Sequence, residues 1–95
     1  MEFLKELGIS SNTINILNEK YDEAIIDVFE LEKENVKDNI YYFDKIGITV
    51  IEDILQAHIE IFTKDPEIVK KAFEKYNIKS VVEKINLDPT WITQI

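Results

Sequence analysis

Ninety-five residues are enough for one domain and too few for two, and a 45% hydrophobic content lets a single core close without disulfide or metal. The chain has no cysteine, which excludes a disulfide scaffold, thiolate chemistry and Cys-ligated zinc. Its 19 acids outweigh 11 basic residues, all of them lysines, so the net charge is -8 and the bidentate forks with which arginine reads phosphate and guanine are missing.

The N-terminal stretch Met1-Glu2-Phe3-Leu4-Lys5-Glu6 lacks a basic region followed by an apolar run and does not read as a signal peptide. No stretch approaches the ~18 apolar residues of a membrane span. Cytoplasmic residence is the expectation.

In chain order, Phe3 to Leu7 reads as a short helix stopped by Gly8, which can take the left-handed conformation. Ser10 and Ser11 offer N-caps for a helix reaching Glu19 or Lys20, with Ile14 and Leu17 on one face. Asp22 can cap a third helix holding Ala24, Ile25, Ile26, Val28 and Phe29, its acidic first turn suiting the helix dipole. From Glu32 to Ile46, Val36, Ile40 and Phe43 recur at the spacing of a buried stripe, and Gly47 ends the run. Thr49 is the expected cap of the next helix, with Ile51, Ile54, Leu55 and His58 on one face. Asp65-Pro66-Glu67 is a strong helix start, an Asp cap followed by Pro at the first helical position. That helix buries Val69, Ala72, Phe73 and Tyr76, and Asn77 is expected to end it at positive φ. Ser80 is the expected cap of Val81 to Ile85, and Asp88-Pro89 opens a last turn carrying Trp91 and Ile92. No apolar/polar alternation persists long enough for a sheet. The predicted class is all-α: one domain over residues 1–95, built of short helices in two or three repeat units that form a compact or slightly curved bundle.

The repeat lies in the turns. Phe43-Asp44-Lys45-Ile46-Gly47-Ile48-Thr49 can be laid over Phe73-Glu74-Lys75-Tyr76-Asn77-Ile78-Lys79, and a third copy is Leu4-Lys5-Glu6-Leu7-Gly8-Ile9-Ser10. In each, a helix ends on an apolar residue, Gly or Asn turns the chain, Ile plugs back into the core, and a polar residue starts the next helix. Leu7-Gly8-Ile9-Ser10 and Ile46-Gly47-Ile48-Thr49 resemble the inter-helix turns of the mitochondrial transcription termination factor (mTERF) family, and Asp65 through Phe73 resembles the start of its closing helix. The resemblance implies a curved helical solenoid and nucleic-acid binding. This chain differs in holding two or three units and a net charge of -8, where the family uses many repeats and a basic concave surface.

No residues are spaced for catalysis. His58 is the single histidine, and the helical metal pattern Glu-x-x-His is broken because residue 55 is Leu. No Ser-His-Asp set, phosphate loop or zinc pattern is present, so no catalytic residue, cofactor or metal is expected. Glu23, Asp27 and Glu30 fall at i, i+4 and i+7, an acidic stripe that is either a solvated face or a docking surface for a basic partner. Trp91 is expected to fold back and seal the end of the bundle, since large aromatics are highly buried on average; left exposed, it would be an interface anchor. Lys70, Lys71 and Lys75 belong to a C-terminal group of six lysines, Lys64 to Lys84, that could touch phosphates but is diluted by four acids. The composition and patterning favour a small acidic module that binds another protein. The alternatives are an mTERF-like nucleic-acid-binding module, or an inhibitor or immunity-type protein occupying a basic site on its target. No membrane partner is expected.

Overall fold

Helix starts in this chain are set by short polar side chains that satisfy the free amides of a first turn. In the computed structural model, which describes residues 1–95, Ser10 Oγ accepts from the Thr13 amide and opens α2 (Ser11–Lys20), after a short α1 (Glu2–Glu6). The Asp22 carboxylate accepts from the Ile25 amide to open α3 (Glu23–Leu31), which runs almost directly into α4 (Lys33–Ile46). α5 (Ile51–Ala57) leads into a 3₁₀ segment, η1 (Ile59–Thr63). Asp65, with Pro66 at the first helical position, opens α6 (Pro66–Glu74). After α7 (Ile78–Leu87), Asp88 and Pro89 repeat that device at a second 3₁₀ segment, η2 (Pro89–Gln94). There is no strand, so the all-α class holds.

The two glycines act as stops. Gly8 and Gly47 sit at φ +87° and +101°, a region that costs an L side chain roughly 1–2 kcal/mol. Behind them the Ile9 amide donates to the Leu4 carbonyl and the Ile48 amide to the Phe43 carbonyl, the same i to i+5 closure at both turns. Ile9 and Ile48 are buried, whereas Ile78, expected to plug likewise, is half-buried at the start of α7.

Three expected boundary residues, one stop and two caps, behave otherwise. Asn77 is at φ -71°, not positive, and its side-chain oxygen accepts from the Ser80 amide. It therefore begins α7 instead of stopping α6, and Ser80 is inside the helix it was expected to cap. An Asn serves either end of a helix, and here the capping bond decided. Thr49 does not cap α5; the cap position is Val50, without a side-chain bond. The Thr49 amide instead donates to Asn86 Oδ1, while Asn86 Nδ2 donates to the Gly47 carbonyl, so a side chain from α7 clasps the turn.

Every helix sends residues to one cluster of 19 buried hydrophobic side chains. α4 lies at its centre, packed against α3, α5, α6, α7 and η1. Phe43 on α4 meets Phe62 of η1 edge-on with ring centroids 5.4 Å apart, and Phe73 of α6 at 5.6 Å. Tyr42 adds an edge contact to Phe73 at 5.8 Å. Such pairs contribute about 0.5–1.5 kcal/mol beyond area burial. Beside them Asn39, fully buried, donates from Nδ2 to the carbonyls of Phe62 and Lys64 at 2.9 Å each. It thereby fixes η1, whose short ladder is otherwise weak.

A polar clasp ties α2 to α5. Glu52 accepts from the hydroxyls of Ser10, at 2.6 Å, and Thr13. These bonds hold its carboxyl below the ordinary glutamate range. Further along, the Gln56 carbonyl accepts from Lys20 Nζ and from the Tyr21 hydroxyl. The radius of gyration is 12.8 Å, with principal extents of 36 × 24 × 22 Å.

Candidate interaction surface

α3 carries more apolar residues than its single buried face can use. Phe29 is buried and Ile26 half-buried, whereas Ala24, Ile25, Val28 and Leu31 face out. The exposed fractions are large: 42% for Ile25, 53% for Val28 and 81% for Leu31. At about 100° per residue these side chains span an arc of roughly 120°, distinct from the arc of Ile26 and Phe29. The acidic stripe falls on the third side. Glu23, Asp27 and Glu30 are all exposed and share a face next to Leu31. Glu30 pairs with the Met1 amino group at 2.9 Å; Glu23 and Asp27 make no ion pair.

The opposite edge of the apolar arc opens into a hollow of about 460 Å³ between α3 and η1. Ile25, Val28 and Phe29 form one wall, Ile59 the other, with Asp22 and Glu60 at the rim. Lys20, next to this rim in the chain, holds its ammonium on the Gln56 carbonyl and over the Tyr21 ring. The arc therefore lies between two acidic edges. Contiguous apolar surface left uncovered on a helix is the kind of feature that accompanies interaction sites in proteins generally.

Trp91 is not with these residues. It is on η2, which packs on α7 and α5, and it lines a small hollow with Tyr76, Val81 and Lys84. It does not seal the bundle end. Ile92 takes the buried position, while Trp91 stays 42% exposed with Lys84 Nζ 4.9 Å from its ring centroid. A 3₁₀ turn directs successive side chains to different sides, and the smaller Ile fits the core-facing one.

Lys70, Lys71 and Lys75 are exposed on α6 and its C-terminal cap, none in an ion pair, with Glu67 and Glu74 on the same helix. His58 is half-buried at the junction of α5 and η1, and its Nε2 has no hydrogen-bond partner. No group of three His, Asp or Glu side chains is arranged to hold a metal ion, and no helix is long and apolar enough to cross a membrane.

The acidic stripe is legible in the sequence, because i, i+4, i+7 spacing fixes a shared face. The exposed apolar arc beside it is not. Ala24 to Phe29 reads as core, and the sequence does not say that α4 and the Phe3 ring of α1 would cover only part of it. Comparison of the chain with protein-family models, with curated proteins and with solved structures gives no match, so the functional reading rests on these surfaces.

Proposed function

We propose that this chain is a non-catalytic helical module that binds another protein through the outer face of α3. The observation that carries the reading is the apolar arc of Ile25, Val28 and Leu31, exposed beside the unpaired carboxylates of Glu23 and Asp27. Apolar anchors with a charged rim are the usual anatomy of a protein interface. An inhibitor or immunity-type role would use the same face against a basic target site.

A second reading has one observation in its favour. Lys70, Lys71 and Lys75 are exposed and free of ion pairs, as phosphate contacts of an mTERF-like module would be. The net charge of -8 opposes it.

The test is affinity capture from extract with and without nuclease treatment, using the wild type and the double variant Val28→Gln/Leu31→Gln. Both substitutions lie on an exposed helix face, where stability changes stay small, about 0.5 kcal/mol. Proteins held by the wild type and released by the variant, with helicity unchanged, are the expected result. Capture that survives the double substitution, or that nuclease abolishes, would remove this reading.

A further inference from the structure

The chemistry of the two edges of the apolar arc narrows the partner. Going round α3, the order is the Glu23, Asp27 and Glu30 stripe, then Leu31, Ala24, Val28 and Ile25, then the hollow rimmed by Asp22 and Glu60. From Ile25 to Leu31 the apolar row is about 9 Å long. Leu31 lies outside the hollow, so the row is longer than the hollow itself. A compact apolar ligand would fill the hollow and leave Leu31 uncovered. A helix laid along the row covers both, with anchors at i, i+3 or i+4, and i+7.

Charge then separates one helix from another. Acids flank the row on both sides; Lys20, next to the rim, is committed to Gln56 and Tyr21, and the Met1 amino group and Lys33 gather at Glu30, leaving Glu23 and Asp27 unpaired. An acidic or neutral helix would desolvate Asp22, Glu60 and Asp27 without a partner, which costs affinity. A second copy of this chain would do worse. Two-fold pairing through α3 sets acidic edge against acidic edge. A helix with an apolar stripe bordered on both sides by Lys or Arg satisfies every group.

We infer that the groove between α3 and η1 receives a basic amphipathic helix of a partner protein, seated on Ile25, Val28 and Leu31 with cationic side chains on Asp27 and Glu23 at one edge and Asp22 and Glu60 at the other. This rests on α3 being the partner face and adds what the partner must be. It also accounts for the division of labour on α3, in which the apolar arc supplies affinity and the two acidic edges choose the sign of the ligand.

The test uses the isotope-labelled full chain and two fluorescent 18-residue helical peptides. Both carry leucine at positions i, i+3, i+4 and i+7, one with lysine and one with glutamate at every other surface position. The expected result is that the lysine peptide shifts the backbone amides of residues 22–31 and 59–63. It binds at least tenfold tighter than the glutamate peptide and weakens as salt is raised. Val28→Gln/Leu31→Gln should weaken it about tenfold, and Glu23→Lys/Asp27→Lys should reverse the preference between the peptides. Equal binding of both peptides at α3 would overturn the basic partner while leaving α3 as the interaction face. So would a self-dimer in sedimentation that Val28→Gln/Leu31→Gln dissolves, or binding of a compact apolar dye in the hollow that leaves the amide of Leu31 unmoved while the lysine peptide fails to compete. Shifts confined to α6, α7 or η2 would overturn it as well. If capture of protein partners also survived Val28→Gln/Leu31→Gln, the α3 reading itself would fall.

Discussion

Asn39 shows how a single buried amide sets the position of a neighbouring segment. Its Nδ2 serves two carbonyls of the chain around η1, and its Oδ1 is buried without a partner. Asn39→Leu keeps the volume but removes both donors. Orphaned buried acceptors cost about 1–3 kcal/mol each, and loss of the unpartnered Oδ1 returns part of that. We expect a net destabilisation of about 2 kcal/mol in urea unfolding; no change in midpoint would mean the amide does not hold η1. Glu52 offers a second test, through pH. Hydroxyl bonds from Ser10 and Thr13 lower its folded pKa, so the folded carboxyl takes up its proton less readily than the unfolded one. The contribution is complete above the ordinary glutamate pKa and is lost as pH falls through the depressed folded value. Glu52→Gln should therefore cost about 1 kcal/mol at neutral pH, and the gap to wild type should narrow on acidification below the usual carboxylate range. A gap that is constant down to acid pH would show that the charge has no part in the clasp.

At the scale of the element, α4 and α6 meet through Phe43 and Phe73, both essentially inaccessible. Phe73→Ala should cost about 3–5 kcal/mol, the range for emptying a large aromatic site, read from denaturant midpoints; a loss under 1 kcal/mol would mean that the neighbouring rings collapse into the space. These two residues were legible in the sequence because helical spacing placed both toward the core. The caps at Ser10, Asp22, Asp65 and Asp88 were equally legible, since a cap is a contact within three residues. The end of α6 was not, because Asn77 serves both as a stop and as a cap. The turn after Gly47 was not either, because its partner, Asn86, is 39 residues away from the Gly47 carbonyl it binds. η1 gave no periodic signal, and its 3₁₀ geometry depends on the amide of Asn39 reaching across from α4. Sequence thus reports bonds that close locally, and the acidic stripe is of that kind. The apolar arc of α3 depends on which neighbours cover it.

For the whole molecule, net charge bears on nucleic-acid binding. The stripe residues Glu23 and Asp27 and the α6 lysines are alike unpaired; only two ion pairs form in the protein. Almost all of the net -8 is thus presented to solvent. Each phosphate contact needs a surface cation, and Lys70, Lys71 and Lys75 are interspersed with Glu67 and Glu74. Nucleic-acid affinity at physiological salt should be no tighter than the non-specific range of about 10⁻⁴–10⁻⁶ M. A salt titration of labelled single- and double-stranded probes, with Lys70→Glu/Lys71→Glu as control, measures this. Tight, salt-sensitive binding abolished by that variant would restore the activity implied by the mTERF-like turns.

The placement of Trp91 governs how unfolding of this protein can be watched. The single indole fluorophore is half in water on η2, against Lys84, while the ring cluster of Phe43, Phe62, Phe73 and Tyr42 sits in the interior. Native emission should already be red-shifted, and its amplitude reports release of the C-terminal turn. Near-ultraviolet dichroism of the inner rings reports loss of core packing. Coincident transitions by the two signals would make η2 part of one cooperative unit with the core, and an earlier fluorescence transition would mark it as a segment that detaches first.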